Sequence, residues 1–219
     1  MKVTAINGSL RKTGNTAALL RQALSGAQSE GATASLTHLY DISYKGCTSC
    51  FACKRKGNAC NGLCAVRDGL RPVLEAALSS DVLLLGAPVY FSDVTGEMRS
   101  FLERLVFPNL SYNDGERSLF RGNMKIGLIC TMNVPQEMVG RIGYDKTFEK
   151  YQGLLRILGE SEVLFSCDTW QFSDYSLYEA SRFDAAHKLR VREAQFPRDC
   201  ADAYGLGKRL AGSAAVNKK

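Results

Sequence analysis

At 219 residues the chain can bury roughly 70% of its unfolded surface, so its core needs no disulfide or metal staple. With 45% hydrophobic and 23% charged residues it reads as one globular domain over 1–219, which excludes disorder, collagen and coiled coil. The net charge of +6 is spread over Lys54-Arg55-Lys56, residues 182–198 and Lys218-Lys219. It suits anionic small molecules rather than nucleic acid, which asks for a dense basic stripe with interleaved aromatics. The longest nearly apolar run, 82–91, is half a bilayer span and contains Gly86 and Pro88. Residues 1–8 turn polar too early for a signal peptide. The expectation is a cytoplasmic protein without nucleic-acid or membrane partners.

In chain order, residues 2–6 form a short β-type run ending in Asn7-Gly8-Ser9. Ala17, Leu20, Leu24 and Ala27 then recur at helical spacing. Residues 33–39 alternate apolar and polar as an edge strand does. Leu70, Val73, Leu74, Ala77 and Leu78 mark a second helix, with Asp68 as its cap and Pro72 in its first turn. Residues 82–86 are continuously apolar, as in a strand buried on both faces of a parallel sheet. Met98, Phe101, Leu102 and Leu105 stripe a third helix, and 125–130 is another buried strand. Phe148, Tyr151, Leu155 and Leu158 stripe a fourth helix, with Gly159 predicted as its C-cap. Residues 163–167 are the last strand, and 177–210 carry a helical pattern broken near Phe196-Pro197. Five strands alternating with five helices predict a doubly wound α/β domain with a parallel sheet.

Ligands of such sheets bind beyond the carboxyl ends of the strands, at the topological switch point. The loops to inspect are therefore 7–15, 87–95 and 131–137. The first, Gly8-Ser9-Leu10-Arg11-Lys12-Thr13-Gly14-Asn15-Thr16, opens a helix whose N-terminus favours an anion. Ser9, Thr13 and Thr16 add hydroxyls, Asn15 an amide and Arg11 a charged fork. Its spacing is neither Walker A nor the Gly-x-Gly-x-x-Gly fingerprint. A phosphate site is the better reading; the other is a polar loop that only caps a helix. The second, Ala87-Pro88-Val89-Tyr90-Phe91-Ser92, offers Tyr90 and Phe91 to a flat heteroaromatic ring, or to ordinary packing.

The first loop resembles the Gly-Ser-Pro-Arg-Lys-x-Gly-Asn-Thr loop of the flavodoxin-like NAD(P)H-dependent FMN reductases, with Leu10 in place of proline. The resemblance implies the flavodoxin-like sheet order 2-1-3-4-5 and FMN-phosphate contacts from Ser9, Arg11, Asn15 and Thr16. The second loop is similar to the family's Pro-Val-Tyr segment, so Pro88, Val89, Tyr90, Phe91 and Ser92 would border the isoalloxazine. Thr131, Met132 and Asn133 stand where the third flavin loop would be. Residues 96–104 resemble the family helix that ends in an acidic residue plus arginine. Phe196-Pro197-Arg198-Asp199 with Gly205-Leu206-Gly207 resembles its C-terminal helix. Residues 160–180 match no motif.

Eight cysteines are present. Cys130, Cys167 and Cys200 sit in apolar contexts and are expected to pack. The other five form a cysteine-rich insertion at 46–66. Cys47-x2-Cys50-x2-Cys53 lets one loop hold three corners of a cubane cluster, with a fourth cysteine farther on. Redox-active thiols and zinc are the other readings, although structural zinc usually takes two separated Cys-x2-Cys pairs. The pattern resembles the iron–sulfur flavoprotein branch of the same family, which implies a [4Fe–4S] cluster on Cys47, Cys50 and Cys53. Cys60 has the family's spacing for the fourth ligand, and Cys64, followed by Ala65-Val66-Arg67-Asp68, has its context. His38 and His187 belong to no catalytic pattern and are expected at the surface or an interface.

The expected function is that of an FMN-dependent oxidoreductase or electron-transfer flavoprotein. NAD(P)H or a ferredoxin-like protein would be its donor, and a small molecule or protein its acceptor. The alternatives are a plain NADPH-dependent FMN or quinone reductase without a cluster, a flavodoxin-like carrier without catalysis, and a flavin-free redox or zinc sensor. The resemblance also implies a homodimer or tetramer.

Overall fold

The computed structural model of the chain describes residues 1–57 and 61–216. Its strands are β1 Lys2–Asn7, β2 Thr33–His38, β3 Val82–Pro88, β4 Met124–Thr131 and β5 Gly159–Ser166. They form one parallel sheet in the order β2-β1-β3-β4-β5, the flavodoxin-like order expected. The apolar run of β3 lies at the centre with Leu83, Leu84 and Leu85 completely buried, because helices cover both faces there.

Side chains alternate between two cores, as the pleat requires. Val3, Ala5, Val82, Leu84 and Ile129 meet α1 (Asn15–Ser29) and α6 (Phe196–Val216). Ile6, Leu83, Leu85, Ile126 and Leu128 meet α2 (Arg71–Leu78), α3 (Gly96–Val106) and α4 (Tyr144–Leu155). The remaining helix, α5 (Ala185–Ala194), packs beside the start of α6. The α1–α6 contact is a backbone contact: a Cβ at Gly207 would stand 1.8 Å from the Ala23 carbonyl oxygen, and one at Gly26 2.0 Å from that of Tyr204. Among the described residues no helix is long and apolar enough to cross a membrane.

Three local expectations are corrected. Gly159 does not cap α4, which ends at Leu155; it opens β5, where a Cβ would collide with the Met124 carbonyl oxygen at 1.8 Å. β5 thus starts before the apolar run, and its exposed Glu160 and Glu162 belong to an edge strand. After a 3-10 turn at Tyr175–Leu177, α-helical structure in the C-terminal third begins at Ala185 rather than 177, and the described residues hold six α-helices where five were predicted. Leu70, not Asp68, is the N-cap of α2: Asp68 accepts from the Leu70 amide at 3.1 Å, and its carboxylate goes to Arg104.

Candidate functional site

The turn after β1 is shaped by its own side chains. Asn7 accepts from the Ser9 amide at 3.0 Å and donates to the Ser9 carbonyl at 3.1 Å, and its amide group lies 2.8 Å from His38 Nδ1. The Thr95 hydroxyl donates to the Gly8 carbonyl at 2.7 Å. The loop then delivers Gly14 to the N-cap of α1 in extended conformation, with no capping side chain and no acid in the first turn. The first N–H groups of a helix have no intrahelical partner. Here they are left without a side-chain cap at the rim of a cleft of about 840 Å³.

Ser9, Arg11, Thr13, Asn15 and Thr16 all line this cleft. Pro88, Val89 and Tyr90 join them from the end of β3, and Thr131, Met132 and Asn133 from the end of β4. The sheet aligns these loops: the Val89 amide donates to the Thr131 carbonyl at 2.9 Å, and the Thr16 and Thr131 hydroxyls lie 2.8 Å apart. Phe91 and Ser92 are not brought to the cleft wall. They are the two corner residues of a turn closed by reciprocal Tyr90–Asp93 backbone bonds, with φ of 50° and 65°. Neither is glycine, so the turn is strained, and it holds the Phe91 ring fully exposed.

Beneath this turn the Tyr151 hydroxyl donates to Asp93 and accepts from Arg99 at 3.2 Å. Burial first, and the Asp93 carboxylate second, push the Tyr151 phenol up to about 12. Burial and the bond to Glu97 raise Tyr44 as well. A tyrosine held protonated in the fold stabilises it fully below its unfolded pKa of about 10. That stability is lost as pH rises through the folded value. Folding stability is therefore expected to fall from about pH 10 to 12, and less steeply in Tyr151→Phe, as denaturant midpoints across that range would reveal.

The opposite wall of the cleft comes from residues that sequence reasoning left unassigned. Thr169, Trp170, Gln171, Phe172 and Ser173 follow β5 along it, with Phe183, Leu189 and Arg192 beyond. Arg11 Nη1 donates to the Gln171 carbonyl at 2.5 Å, Asn15 Nδ2 to the Trp170 carbonyl at 2.9 Å, and Arg192 Nη1 to Asn15 Oδ1 at 3.0 Å. Trp170 packs edge-on to Tyr175 at 4.9 Å, and Phe172 stacks on Tyr178 at 4.2 Å. Lys188, buried on α5, donates to Asn133 and to Asp168, whose other oxygen meets His187 Nε2. The one available signal was the density of aromatics from Trp170 to Tyr178, which carries no helical or strand period.

The cysteine loop lies apart from this cleft. Cys47 and Cys50 are exposed, Cys53 is half-buried and Cys64 is buried. All four border one small cavity against Arg104 and Phe107. Lys54 ties the loop to the end of α3, donating to the Phe107 carbonyl at 2.6 Å and lying over the Phe107 and Tyr112 rings. Among the described residues no group of thiols, imidazoles or carboxylates stands ready to hold a single metal ion. Cys60 lies outside the described residues. Cys130 is fully buried, and burial pushes its thiol well up and that of Cys167 up to about 12. A thiol so shifted is a packing group, not a nucleophile.

A family model described as NADPH-dependent FMN reductase matches residues 1–131. An iron–sulfur flavoprotein of Methanocaldococcus jannaschii is 34% identical over 104 residues, 48% of this chain and 51% of that protein. An iron–sulfur flavoprotein of Archaeoglobus fulgidus is 30% identical over 142 residues, 64% of this chain and 60% of that protein. The chain thus spans about half to three fifths of the length of these relatives. Among solved structures, an NAD(P)H:quinone oxidoreductase from Methanothermobacter marburgensis covers 96% of both chains with a TM-score of 0.66 and 13% identity. An FMN-dependent NADH-azoreductase of Bacillus anthracis, solved in complex with FMN, has the same TM-score, 12% identity, and covers 96% of this chain and 100% of its own. At such identities the likeness is one of fold.

Proposed function

The chain belongs to the NADPH-dependent FMN reductase family, and from that premise we propose that it is an FMN-dependent oxidoreductase with NAD(P)H as co-substrate. The observation that carries this reading is the α1 N-terminus, left without a side-chain cap and opening on a cleft of about 840 Å³. That volume lies within the range of roughly 300–1,000 Å³ typical of cofactor sites. The donor set fits a phosphate: first-turn N–H groups, the hydroxyls of Ser9, Thr13 and Thr16, the Asn15 amide and the Arg11 guanidinium. Pro88, Val89 and Tyr90 on one side and Thr131, Met132 and Asn133 on the other would orient the ring. When bound, FMN supplies the capacity to take up a hydride or single electrons.

The chain's own work would be anchoring, orientation and exclusion of water. The Trp170–Ser173 wall narrows the cleft, and Lys188 steadies Asn133 through paired bonds to its side chain and carbonyl. No side chain is assigned as general acid or base, since hydride transfer to a flavin requires none. The cytoplasm is the proposed location, and a homodimer or tetramer the proposed assembly.

A second reading, an electron-transfer flavoprotein with an iron–sulfur cluster, is favoured by the single cavity bordered by Cys47, Cys50, Cys53 and Cys64. Four thiols border it, the ligand chemistry of such clusters, with the Glu103 carboxylate also on its wall. A ferredoxin-like donor belongs to this reading.

Anaerobic titration of purified protein with NADPH tests the first reading. Bleaching of the flavin bands is expected; flavin that stays oxidised overturns direct reduction. Steady turnover with a quinone would set an enzyme apart from a carrier that needs its protein partner. Iron and acid-labile sulfide assayed on the same sample test the second reading.

A further inference from the structure

Arg104 is among the largest completely buried side chains of the protein, its side chain 1% exposed. A guanidinium has five N–H donors. Four are accounted for here: Nη1 donates to Asp68 Oδ2 at 2.5 Å and the Lys45 carbonyl at 3.0 Å. Nη2 donates to Asp68 Oδ1 at 2.9 Å and the Val66 carbonyl at 3.2 Å. The fifth, on Nε, is buried without a partner among the described residues. A purely structural role, clamping residues 45–68 onto α3, explains four donors and leaves the fifth unexplained. Buried charged donors are rarely left so.

The empty-handed donor belongs to a side chain that borders the cavity of Cys47, Cys50, Cys53 and Cys64. Of the four thiols, Cys64 is the buried one; it shares the cavity wall with Arg104, whose Nη2 holds the chain two residues on at the Val66 carbonyl. A neutral thiol is a weak acceptor and a metal-bound thiolate sulfur a strong one, so a cluster-bound sulfur at position 64 would be a fitting partner for this donor.

We infer that Cys64, rather than Cys60, is the fourth cysteine of the iron–sulfur site, and that Arg104 Nε–H donates to its sulfur and raises the reduction potential of the cluster. This rests on the second reading above. An N–H donor stabilises the more negative, reduced state of a cluster, so its loss lowers the potential. The Arg104–Asp68 pair is nearly neutral as a unit, which leaves the directed bond as the main influence.

The test uses the full chain, purified without oxygen and reconstituted with ferrous iron and sulfide. Iron and sulfide are assayed, and midpoint potentials are read by electron paramagnetic resonance, a signature that mere loosening of the fold would not move in a set direction. Cys60→Ser is expected to keep the wild-type iron content of about four per chain, and Cys64→Ser to lose most of it. Arg104→Lys keeps the charge opposite Asp68 but not the Nε donor, and is expected to hold its iron at a more negative potential. Asp68→Asn keeps the donor and removes a negative charge beside it, so its potential is expected to rise; this variant also serves if Arg104→Lys does not fold. Loss of iron in Cys60→Ser with retention in Cys64→Ser overturns the ligand assignment. An unchanged potential in Arg104→Lys, or a potential that does not rise in Asp68→Asn, overturns the role of Arg104. A wild-type chain that takes up no iron overturns the second reading itself, and the inference with it.

Discussion

Arg11→Ala is expected to weaken FMN binding about 10- to 30-fold while leaving riboflavin binding unchanged. The guanidinium lines the cleft beside the uncapped start of α1, where an anion meets both the helix dipole and a charged fork. A hydrogen bond to a charged group is worth about 1.5–3 kcal/mol. Each 1.4 kcal/mol is tenfold in a dissociation constant. The upper part of that range is not expected, because Arg11 must first leave the Gln171 carbonyl, which it contacts at 2.5 Å. Fluorescence titration with both flavins reads the effect. Equal losses for FMN and riboflavin would mean that Arg11 acts on the ring or on the fold rather than on the phosphate.

The second large effect lies far from the cleft. Gly207→Val is expected to destabilise the fold by about 3 kcal/mol, near the top of the range for overpacking. The obstacle is the Ala23 carbonyl, 1.8 Å from a Cβ at this position, and backbone cannot move aside by changing rotamer. Only separation of α1 from α6 relieves it. For a chain of this length the melting temperature should drop by roughly 6–12 °C. Gly205→Ala, two residues away in α6, meets nothing nearer than the Arg209 guanidinium at 3.4 Å. It should leave stability unchanged or raise it by up to about 1 kcal/mol through helix propensity. Because α1 also opens on the cleft proposed for FMN, Gly207→Val should weaken FMN as well, and saturating FMN should recover part of the melting temperature. Thermal melts with and without FMN check both statements; equal melting temperatures for the two glycine variants would remove the helix contact from the account.

The legible parts share a physical cause. The apolar run ending in Gly86, the alternation in β2 and the stripes of α1, α3 and α4 are periodicities within one segment, and burial on a sheet or helix face imposes them directly. The turn from β1 to α1 was equally local, since the polar residues that open a helix stand consecutively in the chain. Because a parallel sheet gathers its loops at one edge, reading 7–15, 87–95 and 131–137 as neighbours followed from topology alone.

Partnerships between distant segments were not legible in this way. The wall at 169–173 has no period because it packs as a coil against Arg11 and Asn15, more than 150 positions away. Gly159 looks like a helix cap beside α4 and is instead required by the Met124 backbone on the neighbouring strand. Asp68 looks like a cap for α2 and is spent on Arg104 of α3. Even the strained turn that turns Phe91 outward is stated by backbone angles that its residue types disfavour. Near neighbours alone make it legible which stretches pleat, which coil and which loop offers donors to an anion. Which distant groups then satisfy one another's hydrogen bonds and charges depends on how the chain closes, and that was settled only in three dimensions.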